Sequence, residues 1–407
     1  MNEVYDFLKE TEKKQIRKDD IARKFNISID AGSSETRSHV WNGNPRSGAV
    51  YGINSAYSII SEDISGVSSQ SSMLYDNMEI VLVDKTSGKK DKVFSDICLV
   101  KGGLFEDLRL PSVKTSSNTG KGQQETTYIN AIVNAGLRAY GIAHADGVAA
   151  DKYIVSLSLA LPQEDVISAR RQEEIKSKLA GEYWFCMDRM DFSTTIIIPT
   201  DEIFLFDEAQ ATIGHWSFNN KDIAKNYQGI MVADAGGRSV DLSVMLNGRI
   251  ISKGSQTCKM GGQKFVDIIA EKYVNGTGNN MPNREMVLAA LDTGKLQNGN
   301  QSIDITQFIG EAKKELIPAI ISDINSLLDK NDLSMAQINL VLCSGRLMRE
   351  TENESCHVPS LSEFLGKEIA KMSPGTMVGM VSDEYSLVKG LSLARFAFDA
   401  KRAKGLA

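Results

Sequence analysis

Three aspartates, each close to glycine or serine, have the residue types needed to handle a metal-bound phosphate. Asp30 lies in residues 27–43, ISIDAGSSETRSHVWNG, and Asp234 and Asp241 lie in residues 230–248, IMVADAGGRSVDLSVMLNG. Gly32, Gly236 and Gly237 let backbone amides approach an anion with no Cβ in the way. Successive N–H groups in such a turn form an anion-binding nest, and Ser33, Ser34 and Ser239 add hydroxyl donors. Two such turns facing each other would grip a β/γ-phosphate from both sides. The aspartates, useless against a bare phosphate, suit the hydrated Mg²⁺ that accompanies it. Either segment alone reads more simply as an Asp-Gly hairpin with no ligand; the pair in one context reverses that balance.

The elements around the aspartates repeat. Each segment is an apolar run ending in Asp-Ala-Gly, a second apolar run, and then Asn-Gly, the signal for a tight type I′ turn. Asp30 to Asn42 and Asp234 to Asn247 differ in length by one residue, so one strand–turn–strand–turn–strand unit occurs twice. At 407 residues the chain suits two domains. Residues 128–144 carry helical spacing, and 153–161 read as a strand. Pro162 opens a helix that Gly181 ends, and 184–206 read as two strands delivering Asp207-Glu208. Residues 259–273 are a glycine turn feeding an amphipathic helix, and 303–328 a long helix bent at Pro318. Residues 44–78 lack periodicity, 79–94 read as a hairpin turning near Ser87-Gly88, and 112–127 as a polar loop. Strands alternating with helices imply an α/β fold, each half a mixed sheet flanked by helices, with a nucleotide cleft between the halves.

Composition excludes several classes. A net charge of −6 argues against a nucleic-acid surface spread over the protein. No run is long enough to span a membrane, and the N-terminus is charged where a secretory signal needs an apolar core. The five cysteines lack paired or metal-type spacing and read as reduced thiols of a cytoplasmic protein. His39, His144, His215 and His357 have no ligand spacing and read as structural. No Gly-x-x-x-x-Gly-Lys-Ser/Thr occurs, which excludes a P-loop enzyme.

The two turns resemble phosphate-1 and phosphate-2 of the actin, heat-shock chaperone ATPase and sugar kinase superfamily. Three further segments fit it. Residues 204–214, FLFDEAQATIG, resemble the connecting segment; 338–346, INLVLCSGR, are similar to the adenosine motif; and 385–393, YSLVKGLSL, resemble the closing helix. The resemblance implies an actin-like ATPase fold. Glu208 would position the attacking water with Asp234 close enough to share the role, and Asp30, Asp234 and Asp241 would serve Mg²⁺, partly through water. It implies contacts to the nucleotide from Gly32, Ser33, Ser34, Arg37, Gly236, Gly237, Arg238 and Ser239, and from the turn Ser344, Gly345 and Arg346. Residues 310–316, GEAKKEL, resemble the helix that meets adenine and ribose through Glu311 and Lys314; a surface salt bridge is the competing reading. Arg37 stands where lysine is usual, Arg238-Ser239 where paired threonines are common, and the adenosine turn has one glycine, which leaves GTP open beside ATP.

Only a short tail follows the closing helix, which disfavours a peptide-binding chaperone, and no aspartate suits a sugar acceptor. The chain is most similar to bacterial, plasmid- or phage-encoded actins of the ParM type. That implies an N-terminal extension over 1–26, a first actin-like domain over 27–226 with a small insertion at about 44–125, a second over 227–384, and a closing helix and tail over 385–407. It also implies an ATPase that forms a helical filament with copies of itself when ATP binds and disassembles after slow hydrolysis. The filament would move plasmid or phage DNA through a DNA-binding adaptor, without touching DNA or membrane itself. The alternatives are a non-polymerising chaperone-like or reactivase switch and a small-molecule kinase.

Overall fold

The computed structural model describes residues 23–32, 35–55, 58–60, 77–84, 96–102, 121–146, 152–187, 193–237, 239–291, 293–348, 351–353 and 356–405. Of the N-terminal extension expected over residues 1–26, residues 1–22 therefore lie outside the described residues. The chain divides into two compact units, Met1–His215 with Tyr385–Ala407, and Trp216–Glu384.

In the first unit the order is β1 (Arg23–Ala31), β2 (Glu35–Trp41), β3 (Ala49–Asn54), β4 (Ser58–Ile60), β5 (Asn77–Asp84), β6 (Asp96–Gly102), α1 (Glu125–Asp146) and β7 (Lys152–Leu161). Then come α2 (Gln163–Val166), α3 (Ala169–Leu179), β8 (Gly181–Met187), β9 (Ser193–Ile198), β10 (Ile203–Asp207) and α4 (Glu208–Asn219), inside which the unit boundary falls. The strands form one sheet in the order β3-β2-β1-β7-β9-β8-β5-β6-β4, with β10 also paired to β7. Strands β1 and β10 are both parallel to β7, so the three end on the same side. Their interiors are apolar, with Ile27, Ile29, Leu157, Leu159 and Ile203 buried, and α1 covers them with Ile129, Ile132 and Tyr140.

Several sequence expectations needed correction here. Strand β1 starts at Arg23, ahead of Ile27, because its parallel register with β7 begins at the pair Arg23 and Tyr153. Residues 44–78 contain β3 and β4, and β5 pairs with β6 where the hairpin was expected to use residues 91–94. Strand β5 also pairs antiparallel with β8, so β4, β5 and β6 continue the main sheet. The helix opened by Pro162 splits in two, because Ser168 Oγ accepts from Arg171 N at 3.3 Å and caps a new helix. Residues 184–206 hold three strands. Asn42-Gly43 does not make a two-residue turn: Asn44 Oδ1 accepts from Arg46 N at 3.0 Å and starts a longer loop.

The second unit contains α5 (Lys221–Ala224), β11 (Gly229–Ala235), β12 (Val240–Leu246), β13 (Arg249–Cys258), α6 (Gly262–Thr277), α7 (Arg284–Ala290), β14 (Lys295–Asn298), β15 (Gln301–Asp304) and α8 (Thr306–Asp329). Next are β16 (Leu340–Ser344), β17 (Thr351–Asn353), β18 (Cys356–Val358), α9 (Leu361–Met372) and β19 (Met377–Met380). Its main sheet has the order β13-β12-β11-β16-β19. Here Asn247 and Gly248 have φ of 49° and 78°, the two positive values a type I′ turn requires. Pro318 lies inside α8, as expected. Cys258 and Cys343 are buried, and burial pushes each thiol up to about 12.

The chain then returns to the first unit with α10 (Ser386–Ala403). Ser392 Oγ lies 2.8 Å from Ser28 Oγ on β1 and 2.7 Å from His39 Nδ1 on β2, all three side chains buried. This polar contact fastens α10 to the hairpin that carries Asp30.

The strand patterns of the two units correspond. Sheet order β3-β2-β1-β7-β10 in the first matches β13-β12-β11-β16-β19 in the second, with antiparallel, antiparallel, parallel and parallel neighbours in turn. The repeat read from the two Asp-Ala-Gly segments is thus a repeat of architecture.

Candidate functional site

In the first unit Asp30 is the next-to-last residue of β1 and stands in register with Arg37 of β2. The turn between them is braced from behind: Ser55 Oγ donates to Gly32 O at 2.7 Å and lies 2.8 Å from Thr36 Oγ1. Ser33 and Ser34 lie outside the described residues. Arg37 Nε donates to Glu35 Oε2 at 2.8 Å, and its guanidinium lies 6.0 Å from the centre of the Tyr385 ring.

Strand β10 delivers the adjacent pair Asp207-Glu208, and the two side chains do different work. Asp207 is buried and its Oδ1 accepts from Gln210 N at 2.8 Å, capping α4; burial raises its carboxyl against the pull of that bond. Glu208 is the first residue of α4, where the helix dipole favours a carboxylate.

Between Asp30 and Glu208 sits a residue that the sequence did not single out. Lys121, in the helical turn Lys121–Gln123 ahead of α1, donates from Nζ to Asp30 Oδ1 and to Glu208 Oε1, the latter at 2.6 Å. The side chains of Lys121, Asp30 and Glu208 are 17%, 20% and 21% exposed, partly shielded yet open enough for a ligand to reach. Burial alone would lower the lysine's pKa; Asp30 and then Glu208 outweigh it and the net shift is upward. Two carboxylates sharing one ammonium at the ends of parallel strands lie where open α/β sheets bind ligands.

In the second unit Asp234 is the next-to-last residue of β11, in register with Asp241 of β12 on one side and Ser344 of β16 on the other. Ser344 Oγ donates to Asp234 Oδ1 at 2.7 Å. The turn after Asp234 is closed by Gly236 N donating to Ser239 O at 2.9 Å. The start of α6 braces it, Gly262 N to Gly236 O at 3.0 Å and Gln263 N to Gly237 O at 2.7 Å. Arg238 lies outside the described residues. Asp241 accepts from Ser239 Oγ at 2.8 Å and from Thr257 Oγ1 at 2.7 Å, one hydroxyl on each oxygen.

Beside Asp234, Gly345 has φ of 92°, and a Cβ there would lie 2.3 Å from Ala235 O. The single glycine of this turn is thus required by backbone conformation and by close approach. Arg346 begins the helical turn Arg346–Met348, but its side chain lies outside the described residues. Glu311 and Lys314 on α8 are not drawn to these turns. Glu311 accepts from Gln307 Nε2 at 2.9 Å and lies 3.6 Å from Lys272 Nζ, while Lys314 Nζ sits 5.7 Å from the centre of the Phe364 ring.

Each unit presents, by itself, one carboxylate of the kind that suits a Mg²⁺ keeping its own waters. Asp30 and Asp234 are carboxylates at strand ends beside glycine turns, whereas among the described residues no three His, Cys, Asp or Glu side chains gather into a metal cage. Asp241, with a hydroxyl on each oxygen, is arranged to hold its turn.

The strand order and the paired turns define the actin-like fold, two mixed sheets flanked by helices. Solved structures agree on the fold. Actin-like protein Alp7A superposes with a TM-score of 0.68 at 13% identity, covering 94% of this chain and 98% of that one. The ATP-bound ParM of Bacillus thuringiensis gives 0.59 at 13%, with 93% and 100% covered. A ParM from Clostridium botulinum, solved as a 15-stranded filament, gives 0.58 at 17%, with 91% and 99% covered. No protein-family model and no curated protein matches the chain.

Proposed function

We propose that this chain is an ATP-driven, filament-forming protein of the ParM kind. It binds Mg-ATP through the two phosphate turns, polymerises with copies of itself, and disassembles after slow hydrolysis. What carries the reading is the set Asp30, Lys121 and Glu208 at or just beyond the ends of β1 and β10, together with the repeated turn that follows Asp234. Phosphoryl transfer to water needs a group that orients the water and fixed positive charge near the developing anion. Glu208, with Asp234 sharing the task, is assigned the first role and Lys121 the second; Asp30 and Asp234 would hold Mg²⁺ through its waters. The metal, when bound, screens the phosphate charge that the carboxylates would otherwise repel.

Assembly is supported by the likeness to the C. botulinum ParM solved as a filament. A head-to-tail contact that does not close into a ring generates such a polymer. The DNA cargo would be engaged through an adaptor, consistent with the acidic net charge of −6. Among the described residues no helix is long and apolar enough to cross a membrane.

Light scattering of the full chain on addition of Mg-ATP, with negative-stain microscopy of the same sample, tests this. Scattering should rise with filaments that decay as ATP is consumed, and the filaments should persist in Glu208→Ala. Measurable ATP binding with no rise would contradict the filament reading and favour a non-polymerising ATPase switch.

A further inference from the structure

Asp30 and Glu208 are delivered by strands of one sheet, but Lys121 arrives on a short turn outside it, so something else must fix its height above the two carboxylates. Asp165, in α2 just beyond the end of β7, does this. Its side chain is 1% exposed; Oδ2 accepts from Gly122 N at 3.1 Å and Oδ1 from Arg171 Nη1 at 3.0 Å. A Cβ on Gly122 would lie 2.6 Å from Asp165 Oδ2, so the turn rests directly on the carboxylate. Thr127 Oγ1 donates to Lys121 O at 2.8 Å and Tyr128 OH donates to Gly122 O, holding the turn from the other side.

We propose that Asp165, charge-balanced by Arg171, is a positioning residue that seats the Lys121 turn for phosphoryl transfer. This rests on the reading above that Lys121 acts at the phosphate. A neutral acceptor would satisfy the Gly122 N–H, so the presence of a buried carboxylate needs a reason. Burying that charge costs free energy unless it is paired, and Arg171 supplies the pair. In return the charged acceptor makes a stronger bond than a neutral amide oxygen, and so resists displacement of the turn. That resistance matters because a displacement of about 1 Å in a catalytic group lowers a rate by up to roughly a hundredfold. The route runs Arg171, Asp165, Gly122, Lys121, and ends on Asp30 and Glu208.

The test uses the full chain with Mg-ATP, comparing Asp165→Asn, Arg171→Met, Lys121→Met and the double variant Asp165→Asn with Lys121→Met. Steady-state turnover and thermal unfolding are both recorded. Asp165→Asn should lower kcat about tenfold or more, with KM for ATP changed less than about twofold, and should cost nothing further once Lys121 is gone. Arg171→Met should lower kcat in the same direction, and it stands in for Asp165→Asn if that variant does not fold. Wild-type kcat in folded Asp165→Asn and Arg171→Met, with turnover lowered roughly a hundredfold in Lys121→Met, would overturn the proposal and leave the site reading intact. Losses that add to that of Lys121→Met would reduce Asp165 to a general structural role and also overturn it. Full turnover in Lys121→Met would instead sink the site reading, and this proposal with it.

Discussion

Glu208 Oε1 lies 2.6 Å from Lys121 Nζ, and the same ammonium is shared with Asp30. The water-orienting carboxylate and the metal-side carboxylate of the proposed site are therefore tied through one cation. Replacing Lys121 with methionine should lower ATP turnover by roughly a hundredfold or more, the usual loss when a fixed donor to a developing anion is removed. ATP binding should survive. Steady-state kinetics and equilibrium binding on the same variant separate the two effects.

The pH dependence of stability should carry the mark of this trio. Asp30 and Glu208 raise the lysine's pKa in the folded state in spite of its burial. A raised folded pKa stabilises fully below the unfolded lysine's value, about 10.4, and is lost as pH rises through the folded value. Wild type should therefore exceed Lys121→Met in urea stability by ~1–3 kcal/mol at neutral pH, and the gap should shrink above about pH 10.4. A constant gap across that range would contradict the assignment.

Asp207 makes the opposite case. Burial raises its carboxyl, while the cap to Gln210 N pulls the other way and does not prevail. Its contribution is present at acid pH and lost as pH rises through the raised folded value, so at pH 7 the ionised form is a burden. Asp207→Asn keeps the capping oxygen and removes the charge; it should be neutral or stabilising by up to ~1 kcal/mol, whereas Asp207→Ala should cost ~1 kcal/mol. Urea titrations at pH 7 check the order of the three.

At the second turn, Gly345→Ala should destabilise the protein by ~2 kcal/mol or more, since φ of 92° is strained for any L side chain and Ala235 O lies 2.3 Å from the new Cβ. Because Gly345 adjoins Ser344, whose hydroxyl holds Asp234, ATP affinity should fall as well. Thermal unfolding and nucleotide titration on one preparation measure both.

Ser392→Ala tests the fastening of α10. It removes one partner each from Ser28 and His39 in a buried setting and should cost ~1–3 kcal/mol without changing turnover per folded molecule. Denaturant unfolding alongside specific activity reads this out.

What could be read from the sequence was local. The two Asp-Ala-Gly turns announce themselves through apolar runs and glycine within one short window, and 385–393 were legible as a helix through their resemblance to the closing helix of the superfamily. The pairing of β5 with β8 joins residues about a hundred positions apart and leaves no local trace. Lys121 was hidden for the same reason, since its polar surroundings resemble any loop and its place depends on Asp165, Thr127 and Tyr128. Asn42-Gly43 and Asn247-Gly248 are the same dipeptide with different outcomes, because Asn44 competes for the backbone in the first. Asp207 and Glu208 are neighbours in sequence, and only the burial of one and the ion pair of the other tell them apart.

ATP hydrolysis is assigned above all to the carboxylate of Glu208. Phosphate release by the full chain with Mg-ATP, compared with Glu208→Gln at matched ATP occupancy, tests that assignment most directly. Wild type should hydrolyse ATP slowly, and the variant should lose roughly a hundredfold or more with binding retained. Equal release by the two proteins, or no ATP binding by wild type, would contradict it.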